Sequence, residues 1–125
     1  MAKVLIIDDS AVMRKIIQRN IMQSGLLVDE FVEAGDGREG LEKATTCNVD
    51  LILCDWNMPN MTGIDFVKAL RGSGQKNNIP IVMVTTEGSD AKIEEAKNSG
   101  ANGYLTKPFT PEQLKAKLGN FLQIK

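Results

Sequence analysis

The chain predicts an open α/β fold, a doubly wound five-stranded parallel sheet built from five βα units. Three observations carry this. Short apolar runs alternate with helical patterns from one end to the other, near residues 4–7, 28–33, 50–54, 81–84 and 102–106 for the strands. Four of those five runs lie in stretches too apolar on both faces for a half-exposed sheet, so they need helices on either side. No long linker, repeat or low-complexity stretch interrupts the alternation, and right-handed crossovers are expected.

Each element has its own signals. Val4-Leu5-Ile6-Ile7 forms the first strand and runs into Asp8-Asp9. Met13, Ile16, Ile17 and Ile21 then recur at helical spacing, and Ser24-Gly25 stops that helix with an unhindered left-handed residue. Asp36 with Glu39 opens the second helix as a capping-box pattern. Leu51-Ile52-Leu53-Cys54 ends in Asp55, and Thr62 caps the third helix. Ile81-Val82-Met83-Val84 ends in Thr85-Thr86. The fourth helix is the weak one, because between Ser89 and Ser99 its apolar residues are Ala91, Ile93 and Ala96. Each buried large aliphatic contributes about 1.5–3 kcal/mol, so one isoleucine holds this helix loosely and marks it as a moving part. Ser99-Gly100 closes it, and the fifth strand ends at Lys107-Pro108. Thr110 with Gln113 caps the fifth helix, Pro111 takes its first position, and Leu114, Leu118, Phe121 and Leu122 face the core.

Composition narrows the function. At 125 residues the chain fits a single domain, 1–125, with no output domain expected after Lys125. Hydrophobic content of 42% and charged content of 25% are ordinary for a globular protein. A net charge of −1 favours neither nucleic acid nor an anionic membrane. Without a membrane-length apolar run or a secretory pattern, the expected location is the cytoplasm. The expected state is a monomer. Cys47 and Cys54 lack metal-ligand spacing, and Cys54 reads as core filler. Histidine is absent altogether. That excludes Ser-His-Asp triads, histidine zinc sites and a phosphohistidine carried by this chain.

The strand ends then point to one site. In an open parallel sheet, ligands gather beyond the carboxyl ends of the strands, where strand order reverses. If the first, third, fourth and fifth strands are neighbours there, Asp8, Asp9, Asp55, Thr85 and Lys107 converge. Carboxylates about 5 Å apart repel by roughly 3 kcal/mol at an effective dielectric of about 20, so three of them call for a cation. Oxygen-only ligands suit Mg²⁺. The metal and Lys107 together leave room for an added anion, and a phosphoryl group fits, with one carboxylate attacking phosphorus. Asp55 stands alone on the central strand and is the nucleophile candidate, whereas Asp8-Asp9 resemble a metal clamp. Trp56 adjoins Asp55 and is expected to share its solvent-facing loop, as a fluorescence reporter of Mg²⁺. Taken singly, each residue has another reading. Asp8-Asp9 can cap the first helix, Asp55 can open a turn, and Thr85, Thr86 and Lys107 are ordinary at strand ends. Met58 and Met61 read as packing.

Taken together these residues resemble, over the whole chain, the receiver domain of two-component response regulators. The acidic pair is Asp8-Asp9, the phosphoacceptor Asp55, the switch hydroxyl Thr85 and the lysine Lys107 of Lys107-Pro108-Phe109, with Tyr104 at the aromatic switch position. The resemblance implies strand order 2-1-3-4-5 and a cis Lys107–Pro108 bond. It also implies metal binding by Asp9, Asp55 and the Asn57 backbone carbonyl, with Asp8 acting through water. Thr86 joins the site through its backbone. Within the family, Asp9-Ser10-Ala11-Val12-Met13-Arg14 and the segment Asp55 to Gly63 are similar to the chemotaxis-regulator (CheY-like) subfamily. There Asn57 and Glu87 tune loss of the phosphoryl group. Thr86 departs from the alanine often found in that subfamily and adds bulk near the site. The implied function is a switch, not a turnover enzyme. The donor would be a histidine kinase, and the target the flagellar motor switch or another phosphorylation-dependent protein. A phosphatase is a further candidate partner. Ile93, Tyr104 and Lys117 are the implied partner contacts. A phosphate-sink or phosphorelay role is the alternative.

Three rivals are weaker. A flavodoxin-type carrier needs a hydroxyl- and glycine-rich phosphate loop where Asp8-Asp9 stand. A haloacid-dehalogenase-type phosphatase places its nucleophile after the first strand in an Asp-x-Asp arrangement that this chain lacks. A phosphorylation-independent interaction module leaves the complete acidic site unexplained.

Overall fold

Five strands and five helices alternate along residues 2–58, 61–72, 79–86 and 90–122, which a computed structural model describes. They are β1 Lys3–Ile7, α1 Ala11–Ser24, β2 Glu30–Ala34, α2 Gly37–Thr46, β3 Leu51–Asp55, α3 Gly63–Gly72, β4 Ile81–Thr85, α4 Asp90–Ser99, β5 Gly103–Thr106 and α5 Pro111–Leu118. All pairings are parallel and the order is β2-β1-β3-β4-β5.

Alternation along the strands builds two cores, one on each face of the sheet. Leu5, Ile7, Ile52, Cys54, Ile81 and Met83 pack under Ala44 of α2, Phe66 and Leu70 of α3, and Ala96 of α4. Val4, Ile6, Leu51, Leu53, Val82 and Val84 pack under Ile17 and Ile21 of α1 and Leu114 and Leu118 of α5. Burial on both faces is confined to β1, β3 and β4, and does not reach a fourth strand as the sequence pattern predicts. The order leaves β2 and β5 with one neighbour each, and both are partly exposed.

Helix ends follow the local chemistry. Ser10, not the acidic pair, is the N-cap of α1, its Oγ accepting from the Met13 N–H at 3.2 Å. Gly25 closes that helix with a φ of 88°, where a side chain would be strained. Thr110 and Gln113 form the full capping box. At α2, Asp36 caps as expected, but Glu39 Oε1 accepts from the N–H of Gly35 at 2.6 Å, one residue outside the box. Two further expectations shift. Ile16 is 39% exposed because the buried stripe of α1 runs through Ile17 and Ile21. Phe121 and Leu122 lie beyond the end of α5 at Leu118, yet still pack on the second core.

Candidate functional site

Strand register brings the site together. Ile7 lies opposite Cys54, so Asp8 and Asp55 leave the sheet level with each other. Thr85 lies opposite Thr106, which sets Thr86 level with Lys107. The Lys107–Pro108 bond is cis, as the resemblance implies.

Asp8, Asp55 and Thr85 are buried, while Asp9 is exposed. One carboxylate oxygen from each of Asp8, Asp9 and Asp55 lies within 4.8 Å of the others. The ammonium of Lys107 donates to Asp8 Oδ2 at 3.2 Å and to Asp55 Oδ1 at 3.3 Å. Charge-assisted N–H···O contacts are usually about 2.7–2.9 Å, so one cation is stretched between two anions. Three carboxylates against one ammonium leave a negative excess. Burial pushes the Asp55 carboxyl above its ordinary range, and the Asp8 charge adds to this; Lys107 opposes, and Asp9 adds a further upward push. The cluster therefore suits a divalent cation on its own donor chemistry: oxygen-only ligands, converging, with surplus negative charge. The Cys54 thiol is driven well up by burial and by the Asp55 and Asp8 charges, which keeps it an inert part of the core.

Trp56 and Gly63 are both held close to the end of β3. Trp56 N–H donates to the Val84 carbonyl at 3.0 Å, and Gly63 N–H donates to the Trp56 carbonyl at 2.9 Å. A Cβ on Gly63 would stand 2.6 Å from the Asp55 carbonyl oxygen, so only glycine permits this approach. Thr62 caps α3 through the Asp65 N–H at 3.2 Å. Trp56 departs from the sequence reading. It is 8% exposed and sits in the first core, because its peptide continues the pairing to β4 and turns the indole inward. The Lys92 ammonium of α4 lies 5.2 Å from its ring centre. Met58 is buried and Met61 packs against the same core, in line with their reading as packing.

Asn57 and Thr86 are exposed beside the cluster, and Glu87 falls outside the described residues. Away from the acids, Tyr104 is half-buried against the first core, with the Lys117 ammonium 4.4 Å from its ring centre. Ile93 is half-buried on α4. A groove of about 490 Å³ runs beside Tyr104, lined by Phe109, Ala116 and Lys117 among others.

Sequence reasoning gave no role to Arg14 and Glu33. Arg14 Nη1 donates to the Asp8 carbonyl at 2.6 Å, and its Nε donates to Glu33 Oε1 at 2.8 Å. The available signal was a second glutamate, Glu33, between Val32 and Ala34 of β2, on the strand next to the one that Asp8 follows.

Residues 4–119 match the family model for the response regulator receiver domain. The chain is 42% identical to the chemotaxis protein CheY1 of Helicobacter pylori over 117 residues, 93% of each chain. It is 41% identical to the chemotaxis protein CheY homolog of Campylobacter jejuni over 121 residues, 96% of this chain and 92% of that one. The structure of the chemotaxis response regulator CheY4 of Vibrio cholerae superposes with a TM-score of 0.86 at 46% identity, covering 98% of this chain and 99% of that one.

Proposed function

The chain belongs to the response regulator receiver family, and we propose that it is a phosphorylation-activated switch of a chemotaxis pathway. Asp55 accepts a phosphoryl group from a phosphohistidine on a separate kinase. The phosphorylated protein then changes its affinity for a target, the flagellar motor switch. The observation that carries the reading is the sharing of one ammonium, Lys107, by Asp8 and Asp55 inside a three-carboxylate cluster. The names of its relatives supply the chemotaxis setting.

Asp9, Asp55 and the Asn57 backbone carbonyl would hold Mg²⁺, with Asp8 acting through water. Bound there, the ion would offset the acids and the oxygens of the incoming phosphoryl group. An Asp55 carboxylate oxygen attacks phosphorus; the P–O bond forms as the P–N bond to the donor imidazole breaks, and the imidazole leaves with that electron pair. Lys107 moves its contact from Asp55 to a phosphoryl oxygen. The Thr85 hydroxyl donates to another, the Thr86 backbone N–H to the same group, and Asn57, which is exposed, tunes its loss together with Glu87.

Phosphorylated Asp55 thus draws the Thr85 hydroxyl inward and leaves space that Tyr104 fills by turning into the interior. Ile93, Tyr104 and Lys117 then favour a partner segment. Moving the equilibrium from 1:99 to 99:1 takes about 5.5 kcal/mol. Two or three charge-assisted hydrogen bonds at roughly 1.5–3 kcal/mol each supply it.

Intact-mass analysis after incubation with acetyl phosphate and Mg²⁺ tests the reading. The wild type should gain one base-labile phosphoryl group and Asp55→Asn none; equal labelling of that variant would remove Asp55 from the role.

A further inference from the structure

We propose that Arg14, anchored on Glu33, is a positioning residue for the metal clamp: it fixes the Asp8–Asp9 peptide and thereby the direction from which the Asp9 carboxylate meets the cation. This rests on the metal-dependent reading of the acidic cluster. Asp9 is exposed, and among the described residues its side chain has neither a hydrogen bond nor an ion pair. Its place in the cluster is therefore set by the backbone that carries it.

That backbone is fixed on three sides. Asp8 N–H donates to the Ala34 carbonyl at 3.1 Å. Ser10 N–H donates to Asp8 Oδ1 at 2.9 Å. The third hold is the Arg14 guanidinium on the Asp8 carbonyl at 2.6 Å, the oxygen of the Asp8–Asp9 peptide itself. Arg14 is in turn fixed at both ends. Its own N–H donates to the Ser10 carbonyl at 3.0 Å within the first turn of α1. Its Nε donates to Glu33 Oε1 at 2.8 Å, and Lys15 holds the other oxygen of Glu33 at 2.8 Å. Glu33 pairs with Ile6 on β1, two residues before Asp8. The fork thus ties β2 to the turn that presents the clamp. A guanidinium spans two acceptors at fixed angles, which a single ammonium does not.

The sign of the effect separates this role from simple electrostatics. If Arg14 acted as a bare positive charge near the acids, removing it would tighten cation binding. If it positions Asp9, removing it weakens binding, and outer contacts of this kind are typically worth tenfold or more in metal affinity.

Calorimetric titration of Mg²⁺ into the full chain reads this directly, with circular dichroism as the check on folding. Arg14→Met should raise the Mg²⁺ Kd about tenfold or more. Glu33→Gln should raise it less, and Arg14→Lys should not restore the wild-type value. An unchanged or tighter Kd in folded Arg14→Met overturns the proposal, as does full rescue by lysine. Should Arg14→Met fail to fold, Glu33→Gln decides, and an unchanged Kd there overturns it. Absence of Mg²⁺ binding by the wild type, or binding by Asp9→Ala equal to it, would instead remove the metal reading and this inference with it.

Discussion

The acidic end of β3 and the helix α4 stand side by side and are held in opposite ways. Every residue of β3 is buried, and α3, which covers it, contributes Ile64, Phe66, Val67 and Leu70 to the core. Those four side chains contribute about 6–12 kcal/mol. Of α4, only Ala96 is buried, a single methyl group worth about 0.8 kcal/mol. The contrast assigns work to each region. In the proposed switch, Asp8 and Asp55 stand at the ends of the buried strands β1 and β3, while the surface that responds is the one least expensive to move. Lys92 joins the two, reaching from α4 to the face of Trp56, the neighbour of Asp55.

The largest test of the contrast is core truncation. Phe66→Ala should cost about 3–5 kcal/mol in urea unfolding, against about 1 kcal/mol or less for Ile93→Ala. Similar costs at the two positions would erase the difference between the regions.

Next comes the coupling between them. Thr85→Ala should still accept phosphate on Asp55, yet lose about 1.5–3 kcal/mol of the phosphorylation-dependent gain in partner affinity. A full gain in a normally phosphorylated variant would show that Thr85 does not connect site to surface.

A third test uses pH. Burial and the Asp8 charge raise the Asp55 carboxyl above 3.8, so the folded state holds that proton more tightly than the unfolded chain. Stability from this group is full at low pH and is lost as pH rises through the raised value. Asp55→Asn removes that loss, and without Mg²⁺ it should melt higher at neutral pH, by ~4 °C per kcal/mol relieved, with the gap closing in acid. Glu33 has the opposite sign. Lys15 and Arg14 hold it at about 2, below its ordinary 4.5, so its contribution is present above 4.5 and fades as pH falls toward 2. Glu33→Gln should flatten the acid limb of a stability profile.

The smallest expected effect is at Lys92. Removing its contact with Trp56 by Lys92→Ala should speed amide exchange in α4 by the equivalent of about 0.5–1 kcal/mol while leaving urea stability unchanged. A global loss instead would make Lys92 part of the rigid region.

Much of this was legible in the sequence because it is written in short-range patterns. Apolar runs closed by Asp8, Asp55, Thr85 and Lys107 mark both the strands and the place where they end, and parallel pairing carries those ends to one edge. The thin apolar content of α4 was equally plain. What stayed hidden depends on contacts between distant residues. The inward turn of Trp56 follows from its pairing with Val84, which no local pattern announces. The exposure of Ile16 depends on where α1 is rotated against the sheet. Arg14 and Glu33 are charged residues on separate elements, and the β1–β2 register brings Glu33 to the guanidinium that α1 sets on the Asp8 carbonyl.

The central claim is that phosphorylation of the rigid site moves the loosely packed face. Hydrogen exchange on the wild type, with and without acetyl phosphate and Mg²⁺, tests it most directly when phosphorylation of Asp55 is verified by mass in the same sample. Exchange should change in α4, β5 and α5 and stay constant in β1 and β3. Unaltered exchange across α4, β5 and α5 in protein fully phosphorylated on Asp55 would contradict the account.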